Sequence, residues 1–248
     1  MTLSNSVTET QHKHVTIRDF LDKDVSEEMV TAILKAARRA PTSSNAQTYS
    51  VVVVRNPETK AKLAELAGNQ AHVATCPVFF AFCADTSRLA AACKMHGTEL
   101  VQGTETMLVS SVDAALVGMS ANTAAESFGL GAVMIGGMRN HPEDVAKLLG
   151  LPSGAYVVFG MCLGWPNEET RPAQKARLAD ELVVHYETYS QEDPAEKLAE
   201  YDKTLADHYD VYGNKHESAW TGPIANRLSK ARRTNLRPEL ERLGFKFE

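Results

Sequence analysis

Between about Glu99 and Phe128 the chain is filled by Leu100, Met107, Leu108, Val112, Leu116, Met119 and many alanines, with almost no charge after Asp113 until Glu126. A helix that is apolar nearly all round is buried on most of its sides. Such a segment serves either as a central core helix or as a subunit interface, and the sequence leaves both open. Either way, the fold has to be built around it.

The 248 residues suffice for one large domain or two small ones with a sizeable core. A formal net charge of −5 argues against a dedicated nucleic-acid binder, which needs a basic surface to neutralise phosphates. The first residues, MTLSNSVTETQHKH, hold no apolar core segment, so no signal peptide is expected. The most apolar stretches, such as AYVVFGMCLGW, are too short to span a bilayer as a helix. Cys76, Cys83, Cys93 and Cys162 form no CxxC pair and have no metal-ligand spacing; they read as reduced, buried thiols of a cytoplasmic protein.

Val30, Ile33, Leu34 and Ala37 recur at helical spacing after Ser26, a good N-cap, and Pro41 ends that helix. YSVVVVR reads as a strand, PETKAKLAELAG as a helix closed by Gly68, and PVFFAFCAD as a buried strand. GLGAVMIGG is expected to be a glycine-bounded strand, PEDVAKLLG a helix and AYVVFGMCLGW a further strand. After Trp165 the composition turns polar. A surface loop or arm and then two charged amphipathic helices are expected, within DPAEKLAEYDKTLADHYDVYG and IANRLSKARRTNLRPELERLGF. Strands spaced by helices without a clean βαβ rhythm favour an α+β fold.

Four fragments carry candidate chemistry. In APTSSNAQTYS, the cluster Thr42, Ser43, Ser44 and Asn45 offers dense hydrogen-bonding capacity before a strand. GLGAVMIGG is no dinucleotide fingerprint, because it follows a helix and has Met134 where the third glycine belongs. A helix cap explains Gly129 and Gly131, whereas the adjacent Gly136 and Gly137 admit close approach to the backbone. In QKARL, an extended backbone puts Lys175 and Arg177 on one side, where a phosphate would relieve their repulsion; the plain alternative is solvation or pairing with Asp180 and Glu181. HVTIRDF places His14, Thr16 and Arg18 near the chain start, as a second cationic group or simply a solvated edge. HExxH, GxSxG and P-loop motifs are absent, and the eight histidines have no metal-site spacing.

The order of the blocks HVTIRDF, AARRAPTSSNAQTYS, AGNQAHVATCPVFFAFCAD, AAESFGLGAVMIGGMRN, LGLPSGAYVVFGMCLGWP and KARL resembles the nitroreductase family of flavoenzymes, in its branch of NADPH-dependent nitro and flavin reductases. The resemblance implies an α+β fold with a mixed sheet flanked by helices. It implies a single domain over 1–248, of which 166–248 form a C-terminal arm and helical extension. It also implies FMN bound at a homodimer interface, with no nucleic-acid or membrane partner.

By the same resemblance, His14, Thr16 and Arg18 contact FMN, and Arg18 lies near the flavin pyrimidine edge. Thr42, Ser43 and Ser44 match the hydroxyl loop, Gln70 an amide at the flavin's polar edge, and Met134, Ile135, Gly136 and Gly137 the backbone facing the ring. Lys175 and Arg177 match the phosphate clamp. Val15, Thr42, Ala176 and Ala179 depart from the usual family pattern. The loop in which family members grip the 2′-phosphate of NADPH with arginines here offers Tyr212, Lys215 and His216. The implied activity is a ping-pong hydride transfer from NADPH, with NADH also competent, to small electron acceptors: nitroaromatics, quinones or free flavin. FMN carries the chemistry, so no catalytic side chain is required. The alternatives are a flavin-binding carrier or sensor, or a specialised flavin-dependent dehydrogenase or dehalogenase on the same scaffold.

Overall fold

The computed structural model describes residues 3–211 and 219–247. In chain order these form α1 (Ser6–His12), α2 (Glu27–Ala37), β1 (Tyr49–Val54), α3 (Pro57–Leu66), α4 (Ala71–Thr75), β2 (Val78–Asp85), α5 (Ser87–Met95), α6 (Thr104–Ser127), β3 (Gly131–Ile135), α7 (Pro142–Leu149), β4 (Ala155–Gly164), α8 (Ala195–Asp210), α9 (Thr221–Leu228) and α10 (Leu236–Arg242). The chain divides into two compact units, Met1–Pro172 with Arg233–Glu248, and Ala173–Arg232.

In the first unit the strands form one sheet in the order β1-β2-β4-β3. Every position of β2 is buried, as its unbroken apolar run demands. Side chains alternate across a strand. Val78, Phe80 and Phe82 therefore pack with α2 and α6 on one face, while Phe79, Ala81 and Cys83 pack with α3, α4 and α7 on the other. Burying each of these phenylalanines contributes roughly 1.5–3 kcal/mol.

All three strand pairings are antiparallel. The α3–α4 excursion returns the chain to the end where β1 finished, with Val54 opposite Phe79, so β2 runs back along β1. Among the described residues, the parallel component of the expected mixed sheet is confined to one bridge, Thr16 to Ala132, where the N-terminal segment lies along β3. The α+β class holds.

Helix α6 uses both of its faces. Ser110, Asp113, Ala114, Val117, Gly118, Ala121, Asn122 and Ala125 are buried. Gly118 lets the helix sit close on the sheet, because a Cβ there would lie 2.5 Å from the Phe159 ring. The other face exposes Leu108, Val112, Leu116 and Met119, which are 54, 47, 39 and 46% accessible.

Two expectations need correction. The strand drawn through GLGAVMIGG stops at Ile135, and Gly136–Asn140 form a 3-10 turn, since glycine pairs hold an extended strand poorly. The last amphipathic helix is two helices, α9 and α10, separated at residues 229–235. Ser229 to Arg232 are exposed and give a helix nothing to pack against. Pro238, intolerable inside a continuous helix, falls instead in the first turn of α10.

In the second unit, Asp202 accepts hydrogen bonds from the amides of Trp220 and Thr221 (2.6 and 2.8 Å) and so closes the start of α9 onto α8. Tyr201 donates to the carbonyl of Ala176 at 3.0 Å, tying the extended arm to α8. No helix among the described residues is long and apolar enough to cross a membrane.

Candidate active site

The edge strand β3 gathers most of the sequence-predicted residues of the first unit. Thr16 bridges Ala132, and the Ile17 amide donates to the Ala132 carbonyl at 3.0 Å. Ile17 can lie this close because position 131 is glycine; a Cβ there would sit 2.5 Å from Ile17 Cγ1. This pairing aligns His14 to Arg18 beside β3. His14 is half-buried and joined through Nδ1 to Glu126, at the end of α6. Arg18 is exposed.

At the C-terminal end of β3, Met134 faces out and Ile135 points into the core, so Ile135 offers a ligand only its backbone. Gly137 is seated against Ala67 and Gln70. The turn that delivers Gln70 uses left-handed geometry at Gly68 and Asn69 (φ 91° and 59°). Gln70 Nε2 then donates back to the Ala67 carbonyl at 2.9 Å. Next to it on α4, His72 has its pKa lowered, first by burial and then by the positive charge of Arg18, so the imidazole resists protonation. Its buried Nε2 has no hydrogen-bond partner among the described residues.

Sequence reasoning missed two arginines around the glycine turn. Arg139 donates to the Val158 carbonyl, and Arg233 reaches Asn140 Oδ1 at 2.9 Å and the Gly136 carbonyl at 3.2 Å. Arg233 stands 97 residues from Gly136, and only the folded chain brings them together.

The hydroxyl loop lies at the opposite edge, where it feeds β1. Ser43 and Ser44 are exposed and Thr42 is half-buried. Ser44, Asn45 and Gln47 all have left-handed φ (48°, 55° and 52°), which non-glycine residues keep only when their surroundings enforce it. Asp113, fully buried on α6, accepts from the Ser43 amide (3.0 Å), the Thr48 amide (3.0 Å) and the Thr48 hydroxyl (2.7 Å). Arg88 donates to the carbonyls of Gln47 (3.0 Å) and Tyr49. The carboxylate of Asp85 in turn holds Arg88 at 2.9 Å. Burial opposes the charge on Asp85, but donors from Ser50, Ser87 and Arg88 outweigh it and keep its pKa below the usual carboxylate value.

Lys175 and Arg177, in the second unit, are both exposed while Ala176 and Leu178 between and beyond them are half-buried, the alternation of an extended arm. Arg177 donates to the Lys175 carbonyl at 3.3 Å, and Lys175 to the Tyr209 hydroxyl at 3.0 Å. Among the described residues, no ion pair joins either cation to Asp180 or Glu181. Tyr212, Lys215 and His216 lie outside the described residues.

Taken unit by unit, the donor groups are of the kinds that a flat cofactor with a polar edge and an anionic tail requires. Near β3 the first unit provides an amide, a guanidinium and a turn whose close seating leaves no room for a side chain at Gly137. The arm provides two neighbouring cations, and the 42–45 loop provides exposed hydroxyls. A cleft of about 360 Å³, lined by Lys13, Val15, Glu126 and Gly131 among others, contains none of these groups, so concavity alone does not mark the site.

Residues 12–165 match the model of the nitroreductase family, and residues 175–248 match the model of the nitroreductase family C-terminal domain. The chain is 36% identical to the FMN reductase (NAD(P)H) of Bacillus subtilis, over 98% of this chain and 99% of that one. It is 39% identical to the oxygen-insensitive NADPH nitroreductase of Salmonella typhimurium, over 94% and 95%. Among solved structures it superposes on NADPH:FMN oxidoreductase from Vibrio harveyi complexed with NAD+ with a TM-score of 0.88 at 34% identity, covering 97% of this chain and 99% of the other.

Proposed function

The chain belongs to the nitroreductase family, and on that premise we propose that it is an NAD(P)H-dependent FMN oxidoreductase that reduces nitroaromatics, quinones or free flavin by a ping-pong mechanism. The observation that carries the reading is the convergence at the β3 edge. Thr16 pairs with Ala132 on β3, and just past the end of that strand Gly137 lies against Gln70, which supports reading these segments as one cofactor margin.

When bound, FMN supplies the two-electron chemistry by accepting and later giving up a hydride equivalent. The chain's own residues bind and orient it. Arg18 would hold the pyrimidine edge of FMN, and its positive charge there would favour electron acceptance by the cofactor. Gln70 directs its amide at the same edge, His14 and Thr16 add polar contacts, and the backbone from Met134 through Gly137 lines one side. Lys175 and Arg177 clamp the phosphate with charge-assisted hydrogen bonds. Thr42, Ser43 and Ser44 contribute hydroxyl contacts.

The site is read as one completed across a homodimer. Within one chain the 42–45 loop and the β3 margin sit at opposite edges of a four-stranded sheet, about 14 Å apart by ordinary strand spacing. The apolar stripe Leu108, Val112, Leu116 and Met119 on α6 gives a second copy a face to cover. In this reading 1–248 works as one nitroreductase-like domain in the cytoplasm, with 166–248 as its arm and helical extension. The nicotinamide donor's 2′-phosphate meets Lys215 and His216.

The test is steady-state oxidation of NADPH and NADH by the FMN-loaded protein with a quinone acceptor. The reading expects parallel lines in double-reciprocal plots, use of both donors, and a preference for NADPH below about a thousandfold, or roughly 4 kcal/mol. FMN binding without turnover would make the protein a carrier instead.

A further inference from the structure

Helix α6 carries a single charged residue between Glu105 and Glu126, and that residue is fully buried. An ionised carboxylate is tolerated in such a place only when hydrogen bonds replace its lost water. Asp113 receives three, and all come from the two ends of one loop. The Ser43 amide meets Oδ1; the Thr48 amide and hydroxyl meet Oδ2. Between those ends the backbone passes through three left-handed, non-glycine residues, Ser44, Asn45 and Gln47. Each prefers another conformation when released. The carboxylate therefore pins both ends of a strained loop in which Ser43 and Ser44 are exposed.

A carboxylate suits this task because it only accepts, whereas an asparagine would turn an NH2 donor toward at least one of the three converging donors. We propose that Asp113 is a positioning residue for the cofactor: by holding Ser43 and Thr48 it fixes the loop in the conformation that presents the Ser43 and Ser44 hydroxyls to FMN. The proposal rests on the functional reading above. Ordering the loop before binding removes a conformational cost that the cofactor would otherwise have to meet. The gain should therefore be visible in affinity.

The experiment titrates FMN into the apoprotein for wild type, Asp113→Asn and Thr48→Val, with amide hydrogen exchange measured on the same apoproteins. Thr48→Val removes only the hydroxyl donor and leaves both amides, so it keeps the proposal testable should Asp113→Asn not fold. For Asp113→Asn the expected result is FMN weakened about tenfold or more. Exchange should be faster at Ser43 and Thr48 and unchanged along β2. Thr48→Val should move affinity and exchange in the same direction by a smaller factor. Wild-type affinity in Asp113→Asn, or in Thr48→Val where the first variant does not fold, overturns the proposal. So does exchange that accelerates equally along β2, which would make Asp113 a general core residue. Wild-type apoprotein that takes up no FMN overturns the functional reading itself, a result distinct from either.

Discussion

Gly137 lies directly against Gln70: a Cβ on Gly137 would stand 2.7 Å from Gln70 Nε2 and 2.5 Å from the Ala67 carbonyl oxygen. The side-chain amide could swing away, but the backbone oxygen could not. Gly137→Ala should therefore cost about 1–3 kcal/mol of stability, as overpacking does. It should also push Gln70 from its place, so FMN should bind more weakly. Thermal unfolding and an FMN titration check this; an unchanged result in both would mean the turn is not closely seated.

Asp85 supplies a pH-dependent prediction. Its folded pKa is below the ordinary carboxylate value. Its contribution is therefore present above the unfolded pKa near 3.9 and is lost as pH falls through the lower folded value. Asp85→Asn should destabilise the protein by about 1.5–3 kcal/mol at neutral pH. The gap to wild type should close only in acid, below about pH 4. Denaturant unfolding at neutral and acid pH reads the difference, and a constant gap across that range would contradict the assignment.

Under the proposed function, Lys175 and Arg177 hold the FMN phosphate. A charge-assisted hydrogen bond contributes about 1.5–3 kcal/mol. The double variant Lys175→Ala, Arg177→Ala should therefore weaken FMN at least tenfold while leaving riboflavin, which lacks the phosphate, little affected. Equal FMN affinity in variant and wild type would return both residues to the solvated surface.

The exposed stripe on α6 predicts the assembly. Holoprotein at micromolar concentration should have the mass of a dimer, and Leu116→Glu, which places a charge within the stripe, should shift it toward monomer. Light scattering behind a sizing column measures both, and a monomeric wild type would remove the role given to the stripe.

Much of this architecture is written locally. The run in PVFFAFCAD marks β2 as a strand buried on both faces, and Ser26 and Pro41 bracket α2. The apolar length of α6 is equally plain, but its division into a core face and an exposed face depends on which side meets the sheet. Short helices escape because they lack a repeating apolar face: α1 is held by the reciprocal capping of Asn5 and Thr8, and α4 spans only five residues. Among site residues, the hydroxyl loop and the glycine pair are visible as composition. Asp113, Glu126 and Arg233 are not, because each acts on a partner far along the chain; a lone charge in an apolar helix was the available signal for Asp113.

The central claim, an FMN-dependent reductase, is tested most directly by the cofactor itself. Purified protein, reconstituted with FMN if necessary, should be yellow, release FMN rather than FAD on denaturation, and be bleached by NADPH under anaerobic conditions and recoloured by a quinone. Protein that stays colourless after incubation with FMN, or whose bound FMN is not bleached by either NADPH or NADH, would contradict it.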